Sequence, residues 1–463
     1  MTAQQKKRKP TLESLAWRTS PGILGHHPAT PESIHALLGY YLNDRTSPSP
    51  YPGRDMLLDG SLFDWGVASP LEKVINGEDE LELLLGLPEV YRQSVHVVEP
   101  WQNVGINLQG EAVRASKNVA YILQQVADAD TILYPLWQSG VFNPRRMAHT
   151  MSAGIATIVQ GGNPSAYDPD SFAGAAAGLD DLLSLVDELL LRRSTDSGPS
   201  IFICLGHQLA ASSHIRLLRR AVTEIEATTH LPLDDNGRIL ANLKRVAGDI
   251  REMGENLQVI KNGEVIATGW QDRCFAVAPN EQVEVGERQL LPYGSQNVLK
   301  DHIPSVLYDT HALVADDLEG VIDTMLRSER TLKISMFHGD EVNEEAALFA
   351  SWGYKLLHDT LVPIRYRIAV TPLAWLLSMP YAIEILSQTC VAGDDWTEVG
   401  TTCIYYKDWE THTIRRSFTC QFHPELMADI RDIGKREGPR YAELKDNDGA
   451  RLLVRLLYHG MQE

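Results

Sequence analysis

The chain has 463 residues, of which 44% are hydrophobic and 22% are charged, a composition typical of globular proteins. Its formal net charge of −19 opposes phosphate backbones and anionic lipids, so we expect neither a nucleic acid nor a membrane as partner. No segment reaches the roughly 18 consecutive apolar residues of a membrane span. The first residues are not followed by the apolar region of a secretory signal peptide. Five cysteines without a CxxC pair predict a cytoplasmic protein lacking disulfides and structural metal.

Residues 1–93 are predicted to form an N-terminal extension. Most of this segment is rich in Pro, Gly and Ser, which are typical of loops. One helix is predicted within it, with Thr30 as its N-cap and Pro31 in its first turn. The segment lacks the apolar periodicity of a separate core, so we expect it to lie on a larger body.

Short apolar runs alternate with helical segments from residue 94 onward. The runs predicted as buried strands are 94–100, 131–136, 156–162 and 200–206, and the helical segments are 112–129 and 179–194. This alternation indicates an α/β fold, with a doubly wound, mostly parallel sheet and helices on both faces. Active sites of such sheets lie at the carboxyl ends of strands, and Cys204 lies at such an end.

The alternation is interrupted at about 225–330, which we interpret as an elaborated insertion within a domain spanning 94–463. Inside it, Asn262-Gly263 suits the turn of a hairpin, and residues 280–304 are predicted to be rich in loops. Beyond the insertion, strands are predicted at 331–337, 401–408 and 413–422, followed by a helix at 448–460.

Cys204 stands where a predicted strand passes directly into a helix, in the stretch "SIFICLGHQLA". A turn of this kind strains the backbone of the residue at its apex and exposes its side chain above the sheet. Gly206 provides the small residue that the crowded turn requires. The positive end of a helix beginning near His207 would lower the pKa of the thiol. The alternative is a buried, unreactive cysteine.

A base for this thiol is offered by His423, at the end of the last predicted strand. Glu425 follows two residues later, and alternate residues of an extended chain face the same side. The carboxylate could therefore orient the imidazole and stabilise its charged form. A structural histidine is the alternative for His423 considered alone.

Four stretches together carry a family resemblance. "CLGHQLA" and "QFHPEL" resemble the nucleophile and His/Glu motifs of class I (triad-type) glutamine amidotransferases. The stretch "IVQGGNPSAYDPDS" (158–171) is similar to the glycine-rich loop of that family, and "ISMFHGDEV" (334–342) resembles its GMP synthetase-type branch. All four follow the order of the family along the chain.

The resemblance implies a catalytic triad of Cys204, His423 and Glu425. Cys204 would attack the side-chain amide of glutamine and form a γ-glutamyl thioester, with release of ammonia. His423 would take the thiol proton and protonate the departing ammonia. No metal or cofactor is implied, and glutamine is the expected small-molecule substrate.

The remaining site residues are assigned by the same resemblance. Backbone N–H groups of Gly162 and Leu205 would stabilise the oxyanion, and Gln208, Gly161 and His338 would line the substrate site. His338 is also a rival base. We rank it second, because the carboxylate two residues further along follows a glycine that frees the chain to turn away.

The sequence departs from the family at Phe202, where the family has glycine, and at Ser200, where it has an apolar residue. Neither a GxxxxGK[ST] loop nor an SGGxDS-type loop for activating an acceptor is present. Three functions remain open. They are an amidotransferase that delivers ammonia to a separate synthase or acceptor protein, a stand-alone hydrolase of γ-glutamyl or related amides, and a non-catalytic binding or regulatory protein.

Overall fold

The structure is a computed structural model, and its description is confined to part of the chain. It describes residues 72–101, 104–106, 112–114, 116, 119, 130–191, 197–231, 237–261, 263–293, 332–390, 397–411, 413–425 and six positions between 449 and 460. The helix expected after Thr30 lies outside these residues. Among the helices described, none combines the length and hydropathy needed to cross a bilayer.

The first half of the described chain alternates strands and helices, as the sequence predicts. In order, its elements are β1 (Glu72–Val74), α1 (Glu78–Leu85), α2 (Pro88–Tyr91), β2 (Ser94–Glu99), β3 (Val104–Ile106), β4 (Ala112–Arg114), β5 (Asp130–Pro135), α3 (Leu136–Ser139), α4 (Pro144–Ser152), β6 (Ala156–Val159), α5 (Leu179–Leu190), β7 (Ser200–Ile203) and α6 (Leu205–Ala227). A short 3₁₀ segment, Pro169–Phe172, precedes α5.

The second half is richer in antiparallel strands. Its elements are α7 (Arg238–Asn256), β8 (Gln258–Lys261), β9 (Glu264–Thr268), β10 (Val277–Pro292), β11 (Leu332–Val342), α8 (Glu344–Leu361), α9 (Arg365–Ile368), β12 (Ala382–Cys390), β13 (Thr397–Lys407) and β14 (Ile414–Cys420). Two 3₁₀ segments, Val362–Ile364 and Pro372–Ser378, flank α9.

Ten of these strands form one sheet, in the order β1-β5-β2-β6-β7-β14-β13-β12-β10-β11. The first six strands in this order are parallel to one another. The last four are joined to them and to one another by antiparallel pairing. The chain therefore has a mixed α/β fold, and the predicted parallel sheet is confirmed on the side that carries Cys204.

Helix α6 packs along the sheet with its apolar residues turned inward. Its buried side chains share one core with those of α5, and Phe202 of β7 belongs to the same core. Because successive residues of a strand face opposite sides, Ile201 and Ile203 lie on the other face of the sheet, where they too are buried. Strand β7 is thus covered on both faces, as its apolar run predicts.

Several predicted elements differ from the structure in their bounds. Residues 112–114 form strand β4 rather than the start of a helix, although Ser116 and Val119 are helical. The stretch from residue 280 was expected to be rich in loops, but β10 continues to Pro292 because it pairs with β11. Strand β11 extends to Val342, and β13 begins at Thr397, four residues before its predicted start.

Other local predictions are confirmed. Strands β8 and β9 form the predicted hairpin, with Gly263 at φ 80° in its turn. The described positions near the C-terminus are helical, and four leucines among them are buried (Leu452, Leu453, Leu456 and Leu457). Strand β1, which lies within the predicted extension of residues 1–93, pairs with β5 at one edge of the sheet.

The sheet does not lie flat. Five strands separate β6 from β11 in the sheet order, which in a flat sheet would place them about 29 Å apart. Yet the hydroxyl of Ser165, in the loop after β6, donates a hydrogen bond to the carboxylate of Asp340 on β11. The sheet must therefore coil so that its antiparallel part returns over the carboxyl end of β7.

Candidate active site

Cys204 lies at the apex of the turn between β7 and α6. It has φ 50° and ψ −107°, and among the described residues it is the only non-glycine with a positive φ. Its N–H donates to the carbonyl oxygen of Cys420 at 2.7 Å, so pairing with β14 continues into the strained residue. Backbone strain of this kind costs roughly 1–3 kcal/mol and is common at functional sites.

The turn requires a small residue at position 206. A β-carbon on Gly206 would lie 2.4 Å from the carbonyl oxygen of Val159 on the neighbouring strand β6. Helix α6 can begin immediately after Cys204 only because this side chain is missing. Phe202, two residues before the cysteine, is fully buried in the core, and the turn forms with the phenyl ring in place.

The structure brings Cys204, His423 and Glu425 together. The Nδ1 atom of His423 lies 2.8 Å from Oε1 of Glu425, in a pair whose side chains are 3% and 0% exposed. The Cys204 thiol and the His423 imidazole form a hydrogen bond as well. The spacing prediction that Glu425 can reach His423 is confirmed.

Electrostatic interactions within this trio favour its charged form. Burial alone would raise the pKa of the Cys204 thiol, but the imidazoles of His423 and His338 lower it below its ordinary value. Burial would likewise lower the pKa of His423, yet the adjacent Cys204 and Glu425 raise it well above its ordinary value. The two directions agree and describe a thiolate paired with an imidazolium.

The glycine-rich loop after β6 lies against the first residue of α6. A β-carbon on Gly162 would lie 3.0 Å from Cδ2 of Leu205 and 2.6 Å from Cβ of Trp101. Leu205 opens α6, so its N–H has no acceptor within the helix. The proximity of Gly162 and Leu205 fits the prediction that their N–H groups bind the oxyanion, and this role stays a prediction. Gly161 is buried, and its place in the substrate site also stays a prediction.

Gln208 joins α6 to the antiparallel part of the sheet. Its backbone N–H donates to the carbonyl oxygen of Cys204 at 3.0 Å, which closes the first helical turn. Its side-chain Nε2 donates to the carbonyl oxygen of Asp340 on β11, also at 3.0 Å. The amide nitrogen of Gln208 is therefore engaged by the protein, and its predicted contact with substrate stays a prediction.

His338 has an orienting carboxylate that sequence spacing does not reveal. The Asp340 carboxylate accepts from Ser165, and only the carbonyl oxygen of Asp340 accepts from His338 Nδ1, at 2.9 Å. However, Nε2 of His338 lies 3.2 Å from Oε1 of Glu398 on β13. The expectation that the Asp340 carboxylate turns away from His338 is therefore confirmed, but Glu398 supplies a carboxylate from another strand. The assignment of His338 to the substrate site stays a prediction.

Glu398 and Ser165 are the site residues that sequence reasoning missed. Glu398 is held by a 2.7 Å hydrogen bond from Thr389 Oγ1, a cross-strand contact between β12 and β13. The sequence could have placed Glu398 in this strand only if the strand predicted at 401–408 had been given its observed start at Thr397. In the described part of the chain, no group of three or more His, Cys, Asp or Glu side chains could hold a metal ion.

Comparison with known proteins adds no relative. No protein-family model matches the chain, and no curated protein matches it. The resemblance to amidotransferases therefore depends on the four sequence motifs.

Proposed function

We propose that this protein hydrolyses the side-chain amide of glutamine through a Cys204-His423-Glu425 triad. In the same proposal, its fold is that of a class I glutamine amidotransferase, flavodoxin-like with helices on both faces of the sheet, and it acts in the cytoplasm. The single observation that carries the proposal is the strained Cys204 at the start of α6, hydrogen-bonded to a histidine that is itself held by a buried glutamate.

The reaction follows from these positions. The thiolate of Cys204 attacks the amide carbon of glutamine, and the carbonyl oxygen takes the negative charge. Backbone N–H groups of Gly162 and Leu205 stabilise this oxyanion, each contributing about 10²–10³ in rate. His423 gives its proton to the nitrogen, so the carbon–nitrogen bond breaks and ammonia leaves. Water then attacks the γ-glutamyl thioester with His423 as base, which releases glutamate and restores the thiolate and the imidazolium.

The acceptor of the ammonia is proposed to be a separate protein. The sequence contains neither a GxxxxGK[ST] loop nor an SGGxDS-type loop for activating an acceptor, and Cys204 is only 1% exposed in this conformation. A thiol so covered suits an enzyme whose site opens on binding another chain. A stand-alone hydrolase of γ-glutamyl amides is the alternative. Because the turn accommodates Phe202, we favour both enzymes over a non-catalytic role.

Glutamate release and covalent labelling test the proposal directly. The purified protein is incubated with glutamine, and separately with a chloroketone analogue of glutamine, and the labelled residue is located by mass spectrometry. We expect label on Cys204 and glutamate release that Cys204→Ala abolishes. The matched control is Cys274→Ala, which removes a more exposed thiol whose pKa is raised by burial and should leave both results unchanged.

The role of the base is tested in the same assay. His423→Gln should lower turnover by about 10²–10⁴, the usual contribution of a general acid–base group. A turnover that rises on adding a candidate acceptor protein supports the partner-coupled form, whereas turnover indifferent to any partner supports the hydrolase. Absence of both label and glutamate release, with and without partners, would contradict the proposed function.

A further inference from the structure

A second histidine–glutamate pair acts on the same thiol. His338 and Glu398 come from β11 and β13, and their side chains are each 1% exposed. Gln208 links His338 to the nucleophile: its backbone N–H donates to the carbonyl oxygen of Cys204, and its Nε2 donates to the Asp340 carbonyl oxygen that also lies 2.9 Å from His338 Nδ1. At this position the charge of His338 acts on Cys204 alongside that of His423. The thiol therefore lies within the field of two buried imidazoles, only one of which is part of the triad.

The contacts of His338 determine its protonation state. Its Nδ1 lies 2.9 Å from the carbonyl oxygen of Asp340, and its Nε2 forms a 3.2 Å ion pair with Glu398. Both partners are oxygen acceptors, and a neutral imidazole carries a proton on only one nitrogen. A neutral His338 would thus direct a lone pair at an oxygen, so the surroundings fit the doubly protonated cation.

The neighbouring amide does not change this assignment. Nδ2 of Asn280 is 3.5 Å from Nδ1 of His338, a longer contact than that to the Asp340 carbonyl. The oxygen of the same amide accepts from Lys261, so the NH2 group faces His338. At 3.5 Å this contact is at the limit of a hydrogen bond, whereas the Asp340 carbonyl at 2.9 Å is well within it. The pKa of His338 agrees with this geometry. Burial alone would lower it, but the adjacent Glu398 raises it to about 9.

Other titratable groups surround the two side chains. Those that act on Cys204 or His338 are His423, Glu425, Cys420, Glu398, Asp340, Glu341 and His207. His207 is neutral, because burial lowers its pKa to about 3. The carboxyl group of Glu341 faces Lys261, with its Oε1 2.5 Å from Nζ. Near the thiol, the positive charge therefore comes from His423 and His338.

We propose that His338 is a fixed cation that holds Cys204 as thiolate, whereas His423 is the imidazole that exchanges protons. His423 faces one carboxylate and the thiol, so it can lose a proton to the reacting atoms and regain it. His338 has its Nδ1 hydrogen-bonded to the carbonyl oxygen of Asp340 and its Nε2 in an ion pair with Glu398, and it is a positioning residue rather than a catalytic one. The inference uses the proposed function only in taking Cys204 as the nucleophile.

The test measures the pH dependence of Cys204 alkylation by iodoacetamide, read by mass spectrometry. In His338→Gln, the titration midpoint of the thiol should move to higher pH, and alkylation below that midpoint should slow on the order of tenfold, which corresponds to one pKa unit. Glu398→Gln should move the midpoint in the same direction by less, because it leaves His338 in place but removes the carboxylate that keeps it charged. Circular dichroism and thermal melting confirm that each variant is folded.

A midpoint unchanged in both folded variants would overturn the inference. His338→Lys provides a rescue test, since it restores a cation without an imidazole and should bring the midpoint back towards the wild-type value. The readout needs no substrate, so the two proposals fail separately. Glutamine turnover with an unmoved midpoint contradicts only the fixed cation. A midpoint that shifts in a protein that releases no glutamate contradicts only the glutaminase.

Discussion

The parallel and antiparallel parts of the sheet bury different kinds of side chain. The parallel strands β2, β5, β6 and β7 enclose mainly apolar residues, such as Val97, Ile132 and Ile158. The antiparallel strands β11, β12 and β13 bury more histidine and glutamate side chains, including His338, Glu384 and Glu398. Those that the described parallel strands bury are His96 and Glu99 of β2. Burial of apolar area stabilises a fold, whereas a buried ion pair roughly offsets its own desolvation cost.

The two parts therefore contribute different things to one site. The parallel part supplies packing and the turn that carries Cys204, with Phe202 anchored in the core below it. The parallel part also supplies His423 and Glu425, which follow β14, and the antiparallel part adds the charge of His338 by coiling back over the end of β7. Stability and reactivity should accordingly respond to substitutions in different strands.

The largest effect on stability is expected from Phe202→Ala in the parallel part. Removing a fully buried phenyl ring leaves a cavity and should lower the free energy of unfolding by about 3–5 kcal/mol. Tyr366→Ala truncates another aromatic side chain, 67% exposed, and should change stability by less than about 0.5 kcal/mol. Urea unfolding compares the two variants. Similar losses in both would contradict the assignment of Phe202 to the core.

Two glycines in helices provide a second, smaller contrast. Gly206→Ala places a methyl group 2.4 Å from the carbonyl oxygen of Val159, which should cost about 1–3 kcal/mol through overpacking. At Gly248 in α7 a β-carbon meets nothing within 4 Å, so Gly248→Ala should stabilise the protein by roughly 0.5–1 kcal/mol. Thermal melting should show shifts of opposite sign, and a stabilising Gly206→Ala would refute the crowded turn.

The buried titratable groups of the antiparallel part should determine how the free energy of unfolding depends on pH. Burial raises the pKa of Glu341 from its ordinary 4.5 to about 8, against the pull of Lys261. Between these values the folded state holds a proton that the unfolded chain has released, so raising the pH favours unfolding. The free energy of unfolding should fall by at most about 1.4 kcal/mol per pH unit from this group.

Glu341→Gln should reduce that slope, as measured by urea unfolding at pH 5, 7 and 9. It should not abolish the slope, because His338 is charged up to a pKa of about 9 and acts in the same direction. Its contribution is fully present below pH 6.5 and is lost as the pH rises through 9. Glu410→Gln, at an exposed position, is the control. An unaltered slope in Glu341→Gln would mean that this carboxyl is not protonated in the folded state.

The parallel part could be predicted from sequence because its signals are local. Each strand is a short apolar run, and the crowded turn at Cys204 is indicated by Gly206 two residues later. His423 and Glu425 are two residues apart, so extended geometry alone places them together. The mixed α/β fold and the trio at its centre therefore follow from patterns within a few residues of each strand end.

The antiparallel part could not be predicted in the same way. Strand β10 carries Glu, Gln, Gly and Pro, which local preference assigns to loops, and it is a strand because β11 pairs with it. Glu398 reaches His338 across 60 positions of sequence through the coil of the sheet, and no periodicity reports such a contact. The partner of a buried charge is set by tertiary structure.

The position of β7 in the sheet also has a consequence for synthesis of the protein. Its neighbour β6 precedes it in the chain, but its other neighbour, β14, begins only about 210 residues later. At 5–20 residues per second, the ribosome needs about 10–40 s to make this intervening stretch. Throughout that interval the strand leading to Cys204 has an open edge, which is a hazard for association with other chains. Completion of the nucleophile's strand therefore awaits one of the last strands to be translated.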